Sequence, residues 1–264
     1  MKKQLKGLLI TITGASMWGF CAVAGKYVMG TKGVDPVWMV TLRLLLAGTI
    51  LLTIAFIKEK RVAPAENRGH HFFDIWKDKK SILRLLVVAV FAFAVCQTTY
   101  FAAIDLSNAG ITTAIQQTSP VFVLLWVMLL EKRSPKKVEV LVIAMVVFGA
   151  FVLATGGDIG ALLIPLNALI LGVISAITCA MYTVLPGKLI ERYGTFYAIG
   201  WGMILAGILL VPIAKLWIVS GTWDIGTILA FGFVVIFGTV TAFAAYLYGI
   251  TLVGPLLGSV LCLV

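Results

Sequence analysis

The chain has 264 residues, 61% of them hydrophobic and 12% charged, with a mean hydropathy of +1.07. A water-soluble domain of this size needs a polar face on every helix and strand, so this composition excludes one. The net charge of +10 is no nucleic-acid signature, because the basic residues gather on one side of a series of uncharged runs of about 20 residues, the length that crosses a bilayer.

Backbone N–H and C=O groups find no water in lipid, so these runs are predicted to be α-helices. They fall near residues 7–29, 36–57, 84–104, 107–130, 138–156, 163–186, 195–217 and 226–249, and a ninth begins near Val253. The first follows Lys2, Lys3 and Lys6 and contains Ala22-Val23-Ala24, which imitates a cleaved leader. It is long enough to span and matches an internal helix, so it is expected to stay. The second holds Arg43, about 10 Å from one end. A pairing with carbonyls or an aspartate is expected there, and attraction of an anionic substrate group is the sharper alternative. The longest loop, Lys58 to Ser81, contains His70 and His71. No carboxylate or cysteine stands at ligand spacing from them, so no metal is expected, and Phe72, Phe73 and Trp76 read as an interfacial anchor.

Polar residues are costly in hydrocarbon, so their clustering asks for a reason. On the third span Phe93, Gln97 and Tyr100 share a face. On the fourth, Thr113, Gln116, Gln117 and Pro120 do so at i, i+3, i+4 and i+7. Pro120 has no N–H, which deprives the Gln116 carbonyl of its helical partner. Ser175, Thr178, Cys179 and Tyr182 share a face on the sixth span, as do Thr239, Phe243 and Tyr246 on the eighth, and Trp18 lies at mid-depth on the first. From these, Trp18, Gln97, Tyr100, Thr113, Gln116, Gln117, Pro120, Tyr182 and Tyr246 are the candidate substrate-binding residues. The same residue types also make interhelical hydrogen bonds. Glu131, beside Lys132 and Arg133, reads as a structural ion pair. Cys21, Cys96, Cys179 and Cys262 lack paired spacing and read as apolar fillers. No cofactor, metal or catalytic residue is expected.

Most of the 21 lysines and arginines fall on the side of the N-terminus, which places that end in the cytoplasm. An internal repeat runs through the chain. Leu45-Leu46-Ala47-Gly48 matches Ile204-Leu205-Ala206-Gly207, and Tyr100-x3-Ile104-x-Leu106 matches Tyr246-x3-Ile250-x-Leu252. The first and sixth spans align through Ala15 with Ala176 and Gly19 with Ala180. A five-span unit has an odd number of crossings, so its second copy is inverted. The expected fold is an all-α polytopic membrane protein of two inverted five-helix units, residues 1–157 and 158–264. The second unit is read as truncated, with about nine of ten spans present.

Trp18-Gly19, Arg43 with Leu44-Leu45-Leu46-Ala47-Gly48, and the stretch Ala109 to Glu131 around Pro120 resemble the EamA-type branch of the drug/metabolite transporters. The resemblance covers essentially the whole chain. It implies ten helices as two inverted repeats around a central cavity, and a transporter rather than an enzyme. The substrate would be a small organic solute such as an amino acid, a metabolite or a drug-like molecule, moved by alternating access. No Asp or Glu lies in the middle of a complete span, so coupling through an embedded acid is not supported, and export or exchange is expected. The competing readings are an integral membrane enzyme acting on lipid and a non-transporting scaffold. The expected partners are the lipid bilayer and the small-molecule substrate, with a homodimer allowed and no nucleic acid. The expected location is a bacterial plasma membrane.

Overall fold

The computed structural model describes residues 2–61, 72–156, 158 and 163–261, and within them the chain is helical with no strand. His70, His71 and Cys262 lie outside the described residues. The helices are α1 (Gln4–Thr31), α2 (Pro36–Glu59), α3 (Lys79–Leu106), α4 (Ala109–Glu131), α5 (Lys137–Thr155), α6 (Leu166–Tyr193), α7 (Thr195–Ala214), α8 (Ile225–Val253) and a short α9 (Pro255–Leu261). All but α5 and α9 are both long and apolar enough to cross a membrane, so the protein is a multi-pass membrane protein. Exposed Phe20, Leu129, Met145, Phe148 and Leu229 lie on its outside, where hydrocarbon rather than water is the fitting solvent.

Local chemistry sets the helix starts. The side-chain oxygens of Asp35, Asp78, Asn108 and Asp224 accept from the backbone N–H groups of Trp38, Lys80, Ile111 and Thr227, capping α2, α3, α4 and α8. α6 passes into α7 through Gly194 alone, whose φ of +81° suits a residue without Cβ. Three rods carry π turns, at Tyr27–Thr31, Val88–Val95 and Ile236–Thr241. Such turns shift the side-chain register and recur at functional sites.

The bundle is built on three helix pairs: α2 with α7, α1 with α8, and α3 with α6. The segments 45–48 and 204–207, alike in sequence, meet at the α2–α7 crossing. A Cβ on Gly48 would stand 2.9 Å from Ile204, and one on Gly207 would stand 2.7 Å from Leu45, the equivalent pair of positions. Small residues let the backbones approach, as packing in lipid requires. The α1–α8 seam is similarly close, with Gly14 against the backbone of Ala242 and Tyr246.

The ends of the bundle are tied by ion pairs. Lys32, after α1, pairs with Asp224 at the start of α8 at 2.5 Å. At the opposite end Arg192, in the last turn of α6, pairs with Asp78 at the start of α3. Both aspartates are helix caps that also accept from a hydroxyl three residues on, Ser81 Oγ for Asp78 and Thr227 Oγ1 for Asp224, each at 2.9 Å. Asp78-x2-Ser81 precedes Tyr100 by the same spacing with which Asp224-x2-Thr227 precedes Tyr246.

Candidate functional site

A cavity of about 500 Å³ lies between the helix pairs, walled by α1, α2, α3, α4, α6 and α8. Exposed Ser16, Gly19 and Gly110, on α1 and α4, form part of its rim. One end is aromatic. The Trp18 ring meets Tyr246, Phe243 and Tyr182 at centroid distances of 4.9, 5.2 and 6.1 Å, and Tyr182 stacks on Tyr246 at 5.7 Å. Edge and offset contacts of this kind hold large rings in defined orientations. The Tyr246 hydroxyl lies 3.3 Å from Thr183 Oγ1. Trp18 Nε1 is buried without a hydrogen-bond partner in the protein, so the ring keeps a donor for something else.

The rest of the wall is polar. The Tyr100 hydroxyl and Thr113 Oγ1 are 2.8 Å apart, bridging α3 and α4. Gln116 Nε2 donates to Ser175 Oγ at 2.6 Å, which in turn donates to the Cys96 carbonyl at 3.3 Å. Arg43 hydrogen-bonds to the Gln97 side-chain carbonyl and lies 4.6 Å from the centroid of the Phe101 ring. Cys21, Cys96, Cys179 and Gln117 also border the space.

The structure therefore brings Trp18, Gln97, Tyr100, Thr113, Gln116, Gln117, Tyr182 and Tyr246 to one cavity, together with Arg43, and leaves Pro120 and Glu131 out of it. Pro120 lies in a separate apolar groove with Val138, Val142 and Leu256. The reason is a break in α4, which runs as Ala109–Gln116 and Ser119–Glu131. Between the segments the chain tightens, Thr118 N donating to the Ile115 carbonyl and Val121 N to the Thr118 carbonyl, each at 3.0 Å. The i, i+7 register that an unbroken helix would give is lost, and Pro120 turns off the face of Thr113 and Gln116. Placed in the first turn of the second segment, the proline lacks only an N–H that has no helical acceptor there. Glu131 sits at the end of α4, 2.6 Å from Arg133 Nε, and Arg133 also forks onto Glu139 with two bonds of 2.9 Å. Arg43 pairs with a carbonyl, that of the Gln97 side chain, and with an aromatic face, and none of the described ion pairs joins it to an aspartate.

The ion pairs at the bundle ends were not anticipated. Their signal was present, since an Asp-x2-Ser/Thr cap stands before each of the two matching tyrosine spans. Lys32 and the bonds from Thr227 hold the Asp224 carboxyl far below the usual carboxylate range. Ser81 and the Lys80 N–H, with Arg192 adding to them, lower that of Asp78.

With this geometry in place, comparison with known proteins gives the class. The sequence profile of the EamA-like transporter family matches residues 5–155 and 166–264. The chain is 33% identical, over 99% of its length and 84% of the relative's, to an uncharacterized inner membrane transporter, YicL, of Salmonella typhimurium. It is also 26% identical to an uncharacterized transporter of Archaeoglobus fulgidus, over 86% of this chain and 76% of that one. A solved crystal structure shares the fold with a TM-score of 0.64 at 16% identity, over 97% of this chain and 85% of the other. The protein belongs to the EamA-like transporter family.

Proposed function

We propose that the protein exports or exchanges a small organic solute across a bacterial inner membrane, by alternating access around the central cavity. The observation that carries this reading is the cavity itself, which is lined from both halves of the chain and contains eight of the candidate residues drawn from separate spans. The inner-membrane location is supported by the name of the Salmonella relative. Family and relatives point to a transporter rather than an enzyme.

The inverted repeat, with units 1–157 and 158–264, is part of the same proposal. Exchanging each helix for its counterpart turns the α1–α8 pair into the α6–α3 pair and returns α2–α7 onto itself. It also turns the Lys32–Asp224 ion pair into the Arg192–Asp78 pair at the other end. Two equivalent ties at opposite ends, around a site between them, are what alternating access needs: one opens while the other holds. The basic side of the chain, which carries the N-terminus, Asp78 and Arg192, is assigned to the cytoplasm.

The test is counterflow into proteoliposomes preloaded with unlabelled amino acids and small organic acids, against the labelled compounds outside. Gly19 borders the cavity and a Cβ added to it meets nothing within 4 Å, so Gly19→Trp is expected to plug the cavity with little change in helix packing. Counterflow that the plug abolishes supports the proposal. Counterflow that continues through the plugged protein refutes this route. No embedded carboxylate is proposed to couple protons, so an imposed pH gradient is expected to leave the exchange rate unchanged.

A further inference from the structure

Among the described residues the cavity wall carries one charged side chain, Arg43, and its bonding is incomplete. It is 1% exposed. Its guanidinium donates to the Gln97 carbonyl, makes a long contact of 3.9 Å with Cys21 Sγ and lies over Phe101. Nε has no partner. No described carboxylate forms an ion pair with it. A buried cation without a counter-charge is expensive to keep. In a membrane span, such a cation beside a cavity is suited to a charge arriving from outside the protein.

We propose that Arg43 is the anchor for the carboxylate of the transported solute, and that the solute is an organic monocarboxylate with an apolar or aromatic body. The guanidinium is a planar fork that matches a carboxylate with two parallel hydrogen bonds. A single cation neutralises a single carboxylate, whereas a phosphate dianion would leave charge uncompensated in a wall that has no second cation among the described residues. The body of the solute lies toward Trp18, Phe243 and Tyr246, rings that prefer apolar surface. Gln97 is the group that holds the anchor, accepting from its guanidinium. Its neutral carbonyl occupies the place of one carboxylate oxygen and swings aside when the stronger acceptor arrives. The assignment rests on the transport reading for its meaning, but its test does not.

The purified full chain in lipid nanodiscs is titrated with matched acid and amide pairs, 3-phenylpropionate with 3-phenylpropanamide and 4-methylpentanoate with 4-methylpentanamide, and the shift of the thermal midpoint is followed. The acids are expected to act at concentrations about tenfold or more below the amides, the scale of a charged hydrogen bond. Gln97→Glu places a carboxylate permanently on Arg43. That variant is expected to unfold at a higher temperature than wild type and yet to lose the preference for acids. Acids and amides with equal effect on wild type, including no effect, overturn the proposal, as does a Gln97→Glu protein that keeps the preference. The wild-type comparison decides even where the Gln97→Glu variant fails to fold. Acid preference without plug-sensitive counterflow would remove the transport reading and leave the anchor. Plug-sensitive counterflow with no acid preference would do the reverse.

Discussion

Replacing Gly48 by alanine tests the crossing on which the bundle is built. The added Cβ would lie 2.9 Å from the Gly200 carbonyl oxygen and 3.0 Å from Ile204 N, against at least 3.4 Å for an ordinary contact. Both obstacles are backbone, so α2 and α7 must separate by about half an ångström, and overpacking of this kind costs about 1–3 kcal/mol. Gly207→Ala meets mainly the Leu45 side chain, at 2.7 Å, which can turn away, so its cost falls below that of Gly48→Ala. Gly232 has nothing within 4 Å of an added Cβ, and Gly232→Ala is expected to match or exceed wild type because alanine favours the helix. Thermal unfolding in detergent, followed by tryptophan fluorescence, resolves the order, since each kcal/mol moves the midpoint by about 2–4 °C at this chain length. An unchanged midpoint for Gly48→Ala would show that α2 and α7 do not approach as described.

Three further outcomes follow from the site and its ends. Asp224→Asn keeps the cap on α8 but removes the charge facing Lys32. Because the folded carboxyl titrates below its unfolded value, its contribution is complete above about pH 4 and fades as pH falls through the folded value. The midpoint difference between wild type and Asp224→Asn should therefore stay constant from pH 7 to pH 5 and close only below that range; a difference already lost at pH 5 would contradict the ion pair. In the counterflow assay, Trp18→Ala should raise the half-saturating solute concentration more than Trp18→Phe, which keeps a ring against Tyr246 and Phe243. Equal values would remove Trp18 from the site. Cys21, Cys96 and Cys179 border the cavity, so a small membrane-permeant thiosulfonate should label them and the Gly19→Trp plug should slow that labelling; labelling at an unchanged rate would place them outside a common space.

Much of this protein was legible from residue order. The uncharged runs marked the helices, because lipid leaves the backbone no other way to satisfy its hydrogen bonds. The alternation of side chains along each helix picked out Gln97 with Tyr100 and Thr113 with Gln116, since a helical face is a matter of spacing alone. Pro120 shows where spacing fails. Its position was read on an unbroken helix, and the tightened turn at Gln117–Thr118 rotated it onto another groove. Arg43 shows a second limit. Its depth in a span was visible, but its partners Gln97, Cys21 and Phe101 come from two other helices.

The sequence by itself determined a helical, multi-pass membrane protein, because hydropathy and periodicity are properties of neighbours along the chain. Only the tertiary structure decided that Gly48 meets Ile204 as Gly207 meets Leu45, that Lys32 pairs with Asp224 at one end and Arg192 with Asp78 at the other, and that the buried Arg43, joined to Gln97, borders the same cavity as Trp18 and Tyr246. Those are contacts between residues far apart in the chain, and they arise from how closely the helices pack, which no local pattern encodes.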